Sequence, residues 1–209
     1  MGTLHSINIT HEVLTGPWAG SVGATGIDKR PVSGRVRLFD NHVDGDKVLD
    51  TKVHGGHDKA VYAYAAEDAE FWKSRTSFNV TPGAFGENLT TLGIDCTNAV
   101  IGERWQIGDA VLQVSEPRFP CVVFAGYWDH DGLVKEFTAE GRPGTYLSIV
   151  TEGSVGAGDE ITVIHRPTHG VTINMAFRAK TGDRDLIPKV LTAPELPAAL
   201  REKLAALNP

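Results

Sequence analysis

The stretch Val111-Leu-Gln-Val-Ser-Glu-Pro-Arg-Phe-Pro-Cys121 decides the reading of this chain. From Val111 to Ser115 apolar and polar side chains alternate, the pattern of a half-buried strand. Pro117 and Pro120 then withhold backbone donors and fix φ, so the strand ladder must end or reach a sheet edge there. A single thiol, Cys121, is thereby held on a stiff segment just past a strand end, with Arg118 three residues before it. A thiolate ligates soft metals and attacks electrophiles, and a neighbouring cation favours its ionised form. A small buried apolar residue is the alternative role for such a cysteine.

Outward from this segment, punctuation dominates: the chain has 23 glycines and 11 prolines, and most of the glycines separate short apolar runs through the first 160 or so residues. Short strands are expected at Leu4–Ile9, Arg35–Phe39, Ala60–Tyr64, Val100–Gln106, Ala110–Ser115, Thr145–Val150 and Glu160–His165. Two helices interrupt them, Ala66–Arg75 and Gly132–Glu140, the second with Asp131 as a cap and Gly141 at its C-terminus. After Pro167 the period changes. Ile173/Ala176/Phe177, Leu186/Ile187/Val190/Leu191 and Leu196/Leu200/Leu204/Leu207 follow helical spacing, divided by Pro188, Pro194 and Pro197. The fold class is mainly β with some α: a β-rich domain over residues 1–166 and an all-α module of three short helices over 167–209. So small a module cannot bury a core alone and must pack on the β-domain or on a partner chain.

With 209 residues, 41% apolar and 22% charged, the chain is long enough for one full core. A net charge of −6 argues against nucleic acid and anionic membrane surfaces as partners. No 18-residue apolar run and no signal-peptide pattern occur, and two cysteines are too few for a disulfide framework, so a cytoplasmic location is expected.

Three glycine-containing segments carry candidate chemistry. In His54-Gly-Gly-His-Asp-Lys-Ala60, Gly55 and Gly56 allow close backbone approach to a ligand, and consecutive N–H groups can cradle an anion, assisted by His54, His57 and Lys59. A polar turn with exposed histidines is the plainer alternative. A zinc site of His54, His57 and Cys121 is a third reading, without support from any CxxC or HExxH spacing. In Phe85-Gly-Glu-Asn-Leu-Thr-Thr91, Asn88 can read a heterocycle edge and Glu87 can accept from ring N–H groups, although a turn leading into a strand explains the segment as well. In Gly141-Arg-Pro-Gly-Thr145, Arg142 is a phosphate-clamp candidate. Gly20-x-x-Gly-x-x-Gly26 lacks the strand, helix and Lys-Ser/Thr context of nucleotide loops, and His165-x-x-x-His169 straddles the domain junction. No Gly-x-Ser-x-Gly elbow is present.

In order, Ile27-Asp-Lys29, His54-Gly-Gly-His-Asp-Lys-Ala60, Phe85-Gly-Glu-Asn-Leu89, Ile101-Gly-Glu-Arg-Trp-Gln-Ile-Gly-Asp109 and Val114-Ser-Glu-Pro-Arg-Phe-Pro-Cys121 closely resemble a MOSC domain, the domain shared with the C-terminal part of molybdenum-cofactor sulfurases. Within that family the chain resembles the bacterial YiiM-like proteins, which add a three-helix module. His57 stands where such relatives often have proline, which leaves both glycines in place. The resemblance implies a MOSC-type β-barrel with short peripheral helices, binding a molybdenum–molybdopterin cofactor with Cys121 as protein ligand to the metal and as the catalytic position. Carried onto the matching motifs and the segments flanking them, it implies cofactor contacts at Lys29, His54, Gly55, Gly56, Asp58, Lys59, Phe85, Gly86, Glu87, Asn88, Arg118 and Arg142. It further implies reduction of N-hydroxylated compounds, such as hydroxylamino base analogues, to amines, with electrons from a separate reductase protein. A family-level association with pyridoxal phosphate and with detoxification comes with it. Cys96 matches no motif position and is expected to be structural. The rival roles are a sulfur carrier holding a persulfide on Cys121 and a non-catalytic cofactor carrier. The apolar helical tail is compatible with a homodimer.

Overall fold

Val61-Tyr-Ala-Tyr-Ala65 is apolar at every position, as a strand covered on both faces must be. The computed structural model, which describes residues 1–51 and 54–207, buries all five. Val61, Ala63 and Ala65 face the main core, whereas Tyr62 and Tyr64 face a second, aromatic cluster. The elements in chain order are β1 (Gly2–Thr15), β2 (Ala24–Pro31), β3 (Arg35–Phe39), β4 (His42–Val43), β5 (Val61–Ala65), α1 (Ala66–Lys73), β6 (Leu89–Leu92), β7 (Arg104–Ile107), β8 (Ala110–Pro117), α2 (Val122–Tyr127), α3 (Leu133–Glu140), β9 (Thr145–Thr151), β10 (Gly153–Gly156), β11 (Glu160–His165), α4 (Ile173–Thr181), α5 (Ile187–Val190) and α6 (Ala198–Ala205).

Seven strands close into a barrel in the order β11-β7-β8-β9-β5-β6-β1, the β1–β11 pairing through Gly2 and Thr3 completing the circle. Closure removes the edges that an open sheet would expose. The β5–β6 pairing is parallel and the other barrel pairings are antiparallel. β2 continues the sheet outside the barrel as the hairpin partner of β1, and β10-β3-β4 form a small separate sheet.

α1, α2 and α3 lie against the outer side of β5, and the layer between them is aromatic. Trp72 stacks on Phe137 at 5.6 Å, Tyr64 on Phe85 at 4.0 Å and Phe78 on Trp128 at 4.9 Å. The buried indoles keep partners: Trp72 Nε1 donates to the Tyr64 hydroxyl (3.1 Å) and Trp128 Nε1 to the Ala84 carbonyl (2.9 Å).

The helical module packs on the barrel. Ile173, Ala176, Ile187, Val190, Leu200 and Leu204 are buried in the same cluster as barrel residues Trp105, Leu112 and Val114. Main-chain bonds from Ile101 N to Val171 O and from Ile173 N to Ala99 O (each 3.0 Å) stitch the junction, and Phe119 stacks on Phe177. Positions 208 and 209, the end of the expected 167–209 module, lie outside the described residues.

Some expectations are corrected. Of the expected Val100–Gln106 strand only the last three residues are strand, as the start of β7: Gly102 has φ +87° and Glu103 N donates to Val100 O, a turn. α3 is capped by Gly132 with no side-chain bond, rather than by Asp131, whereas Gly141 takes the left-handed C-terminal position (φ +65°). Gly20–Gly26 belongs to the β1–β2 hairpin. A Cβ on Gly26 would fall 2.2 Å from the Lys47 carbonyl, so this glycine lets the 46–50 segment approach β2.

Candidate functional site: a cationic cleft at Cys121

β8 ends at Pro117 as its proline requires, and the next four residues turn into α2, whose N-cap is Cys121. Along this connection side chains diverge. Phe119 goes to Phe177 of the helical module, while Arg118 goes into the aromatic layer, its guanidinium 4.1 Å from the Phe124 ring centroid and 5.7 Å from that of Phe137. Arg118 is 4% exposed, yet its Nη1 has no hydrogen-bond partner, and among the described residues it forms no ion pair. A buried, permanently charged group without an acceptor costs free energy unless a ligand supplies the missing negative charge.

Arg118 and the half-buried Cys121 both line a cleft of about 310 Å³. Its walls come from β2, the 46–50 segment, the His54–Ala60 turn, β5, the Phe85–Asn88 loop, the start of α2 and Tyr146 of β9. Of the residues singled out from sequence, the cleft brings together Lys29, His54, Gly55, Lys59, Phe85, Gly86, Asn88, Arg118 and Cys121.

Several of these are already engaged within the protein. Lys29 Nζ pairs with Asp46, which also accepts from Thr10 Oγ1 (2.8 Å) and Asn88 Nδ2 (2.9 Å). Burial pushes the Lys29 ammonium down and Asp46 opposes that fall. For Asp46 itself, burial works upward, but Lys29 and the hydrogen bonds hold the carboxyl below its ordinary value. Asn88 spends its amide on Tyr62 N, the Asn8 carbonyl and Asp46, which makes it a strut of the cleft floor. Lys59 pairs with Glu116 at 3.4 Å. His54 is driven down to about 4, by burial first and by the Arg118 and Lys59 charges next, so it is neutral near pH 7. Its Nδ1 lies 3.3 Å from the Tyr146 hydroxyl, itself pushed up to about 12 chiefly by burial.

Five residues singled out from sequence stand outside the cleft lining. Arg142 is on another face, with Nη1 2.5 Å from Asp68. Asp58 and His57 border a separate cavity at the helical module, and the His57 side chain is 68% exposed and bonded to Asp58. Gly56 combines positive φ with extended ψ (+77°, −179°), a conformation open essentially to glycine alone, and is absent from the lining. Glu87 lies beneath the loop: its carboxylate accepts from Gly83 N (2.6 Å), Phe85 N (3.0 Å) and Thr90 Oγ1 (2.8 Å), shaping the loop that presents Phe85 and Gly86. The zinc reading fails on geometry, because His57 does not converge with His54 and Cys121. No group of three or more metal-ligating side chains occurs among the described residues. His169, at the junction, accepts from Val171 N and faces Glu195 at 3.2 Å. Cys96 is fully buried beside Thr91, its thiol pushed up to about 12 by burial, as suits a structural residue.

Burial raises the Glu87 carboxyl to about 7 from an ordinary 4.5. Between those values the folded chain holds a proton that the unfolded chain has released, so this group's contribution to stability falls as pH rises through that window. Glu87→Gln removes the titration. The stability of the wild type relative to this variant is expected to fall by roughly 3 kcal/mol between pH 4.5 and 8. Parallel denaturation midpoints for the two proteins across that range would contradict the assignment.

Gly55 and Gly56 separate backbone strain from ligand contact. Both have positive φ (+74° and +77°), and Gly56, with ψ −179°, lies in a region open essentially to glycine alone, so an alanine is strained at either position and at least as much at Gly56. Only Gly55 lines the cleft. Gly55→Ala is expected to lower retention of a bound cofactor, and Gly56→Ala to leave it unchanged at matched stability; equal loss in both would assign the effect to the turn's strain.

Asp46, Tyr62 and Tyr146 were not singled out from sequence. Tyr146 sits in an alternating strand and offers no signal beyond its type, and Asp44-Gly-Asp46 reads as an ordinary turn.

An anionic, sulfur-bearing cofactor fits these residues. Arg118 needs an anion, and Cys121 offers one soft donor where the protein alone supplies no complete metal site. Comparison with known proteins points the same way. The model of the MOSC domain family matches residues 50–162. The protein YflK of Bacillus subtilis (strain 168) is 37% identical over 159 residues, covering 76% of this chain and 72% of that one. The crystal structure of YiiM from Geobacillus stearothermophilus superposes over 100% of both chains with a TM-score of 0.83 at 28% identity. A Gibberella moniliformis (strain M3125 / FGSC 7600) protein named Reductase is 32% identical over 120 residues, covering 54% of this chain and 21% of its own length.

Proposed function

The chain belongs to the MOSC domain family, and from that premise we propose that it binds a molybdenum–pterin cofactor in the Cys121 cleft and reduces N-hydroxylated compounds to amines. The observation that carries this reading is the buried Arg118 with its unpartnered Nη1 in the same cleft as a half-buried thiol. When bound, the cofactor supplies the two-electron redox chemistry. Each turnover breaks one N–O bond: the hydroxylamine takes up two electrons and two protons and yields one amine and one water. The electrons come from a separate reductase protein, and the similarity to a protein named Reductase supports that class of chemistry.

The chain's own residues then have distinct tasks. Cys121 contributes a thiolate ligand. Arg118, held by the Phe124 and Phe137 ring faces, receives the cofactor's negative charge in a fixed orientation. The Lys29–Asp46–Asn88 network and the Lys59–Glu116 pair set the floor and side of the cleft without leaving a second uncompensated charge there. His54, neutral at working pH, and the protonated Tyr146 hydroxyl give a hydrogen-bonding wall that neither adds charge nor competes as an anion.

The test is turnover of 6-hydroxylaminopurine by cofactor-loaded protein with a chemical or enzymatic reductant. Formation of adenine, absent with unloaded protein, supports the reading. Loaded protein without turnover would make it a cofactor carrier. A persulfide on Cys121 in protein free of molybdenum would make it a sulfur carrier.

A further inference from the structure

A second cavity, of about 250 Å³, lies where the helical module meets the barrel. Its barrel side is the His54–Ala60 turn with Glu116 of β8 and Phe119; its module side includes Lys180 of α4 and Lys203 of α6. Gly55 and Lys59 line both this cavity and the Cys121 cleft. At Gly55, which has no side chain, one stretch of backbone separates the two. The cavity therefore adjoins the cleft from behind the turn, apart from the rim where Lys47, Val48 and Val122 stand.

The chain as a whole is acidic, with a net charge of −6, but this cavity is not. Three lysines line it against two carboxylates, Asp58 and Glu116. Both carboxylates are engaged locally, Asp58 with His57 Nδ1 at 2.8 Å and Glu116 with Lys59 at 3.4 Å. Lys180 and Lys203 form no ion pair among the described residues. Unpaired lysines are ordinary on protein surfaces. Two that a separate module brings to a cavity backing onto the thiol cleft make a local cationic face beside the reacting centre, which attracts and orients an acidic partner.

We propose that Lys180 and Lys203 make this side of the helical module the docking face for the electron donor, an acidic carrier protein that presents carboxylates around its redox group. This rests on the reductase reading above and deepens it by naming the kind of partner and where it binds. Electron transfer slows steeply with distance, which favours entry across the Gly55 backbone, while the mouth of the cleft stays open to substrate and amine. Breaking one N–O bond takes two electrons. A one-electron carrier therefore docks twice per turnover and is oxidised by one electron each time, and the two protons come from solvent.

Two reductants decide the matter in turnover of 6-hydroxylaminopurine by the cofactor-loaded full chain: reduced flavodoxin, a small acidic protein, and reduced methyl viologen, a small cation that needs no docking face. In the double variant Lys180→Glu/Lys203→Glu the KM for flavodoxin is expected to rise at least about tenfold at low ionic strength, and the rate with viologen not to fall. The difference should vanish at about 1 M salt, where charges are screened within a few ångströms. Lys203→Gln, at an exposed position of α6, is the milder variant should the double reversal disturb the helices. An unchanged flavodoxin KM in both variants overturns the docking face, and so does an equal fall with both reductants. A wild type that uses viologen and not flavodoxin overturns it too, as does a loss produced by Lys47→Glu and not by the lysine pair, which would place the donor at the mouth. Failure of the wild type with both reductants refutes the reductase reading instead. Calorimetric binding of flavodoxin, present in the wild type and weakened in the variants, would then leave the docking face standing, and absence of binding would remove both.

Discussion

Cys121→Ser should remove reductase turnover while leaving the fold intact. Loss of a group that merely orients a metal ligand costs ten- to a hundredfold, so loss of the proposed ligand itself should cost at least about a hundredfold in turnover. Serine is a hard donor that stays protonated near pH 7 and does not replace a thiolate on a soft centre. The swap is nearly isosteric, and Cys121 is half-buried at the N-cap of α2, where serine is a preferred residue. The thermal midpoint should therefore hold or rise slightly. A serine variant that turns over at the wild-type rate with its metal loaded would refute the ligand role.

The second large effect is a divergence between stability and binding. Arg118→Met should lower cofactor affinity about ten- to a hundredfold, the equivalent of one direct charge-assisted contact of roughly 1.5–3 kcal/mol. The same substitution should leave the unloaded protein as stable as the parent, or more stable by about 1–3 kcal/mol, because methionine fills the space between Phe124 and Phe137 without a buried unpaired charge. A residue kept for the fold would behave in the opposite way. Chemical denaturation of unloaded protein, set beside cofactor content after expression in a cofactor-competent host, separates the two. An Arg118→Met protein that unfolds more easily and retains its cofactor would assign the guanidinium to the core.

How much of this was legible beforehand follows from local physics. Arg35–Phe39 and Glu160–His165 stand where their runs between turn residues place them, with the same limits. The helical module was visible from its period, because its apolar stripe had to be covered and the barrel covers it. Val122–Tyr127 was not visible as a helix. Its two valines, aromatic residues and Gly126 are poor helix formers, and packing of Phe124 into the aromatic layer decides the matter. Leu89–Leu92 reads equally as the end of a turn, and its pairings with β5 and β1, both distant in sequence, make it a barrel strand.

At the site, the motif glycines and Cys121 could be singled out because turns and a strand end mark them. Side-chain destinations could not. Arg142 and Arg118 look alike as sequence, each a cation beside proline, but one reaches Asp68 and the other ends without an acceptor. Glu87 and Asn88 are polar residues in a glycine loop, the usual appearance of ligand contacts, and both turn out to hold the loop and floor together. Which polar groups a fold satisfies internally is a property of its tertiary contacts, and that accounting separates Arg118 from the rest.

The most direct measurement is the molybdenum and pterin content per chain of protein purified from a cofactor-competent host, wild type beside Cys121→Ser and Arg118→Met. The account predicts close to one molybdenum and one pterin per wild-type chain, with both lowered in the Arg118 variant and molybdenum lowered in the serine variant. Wild-type protein that emerges without molybdenum or pterin from a host that loads other molybdenum enzymes would contradict it.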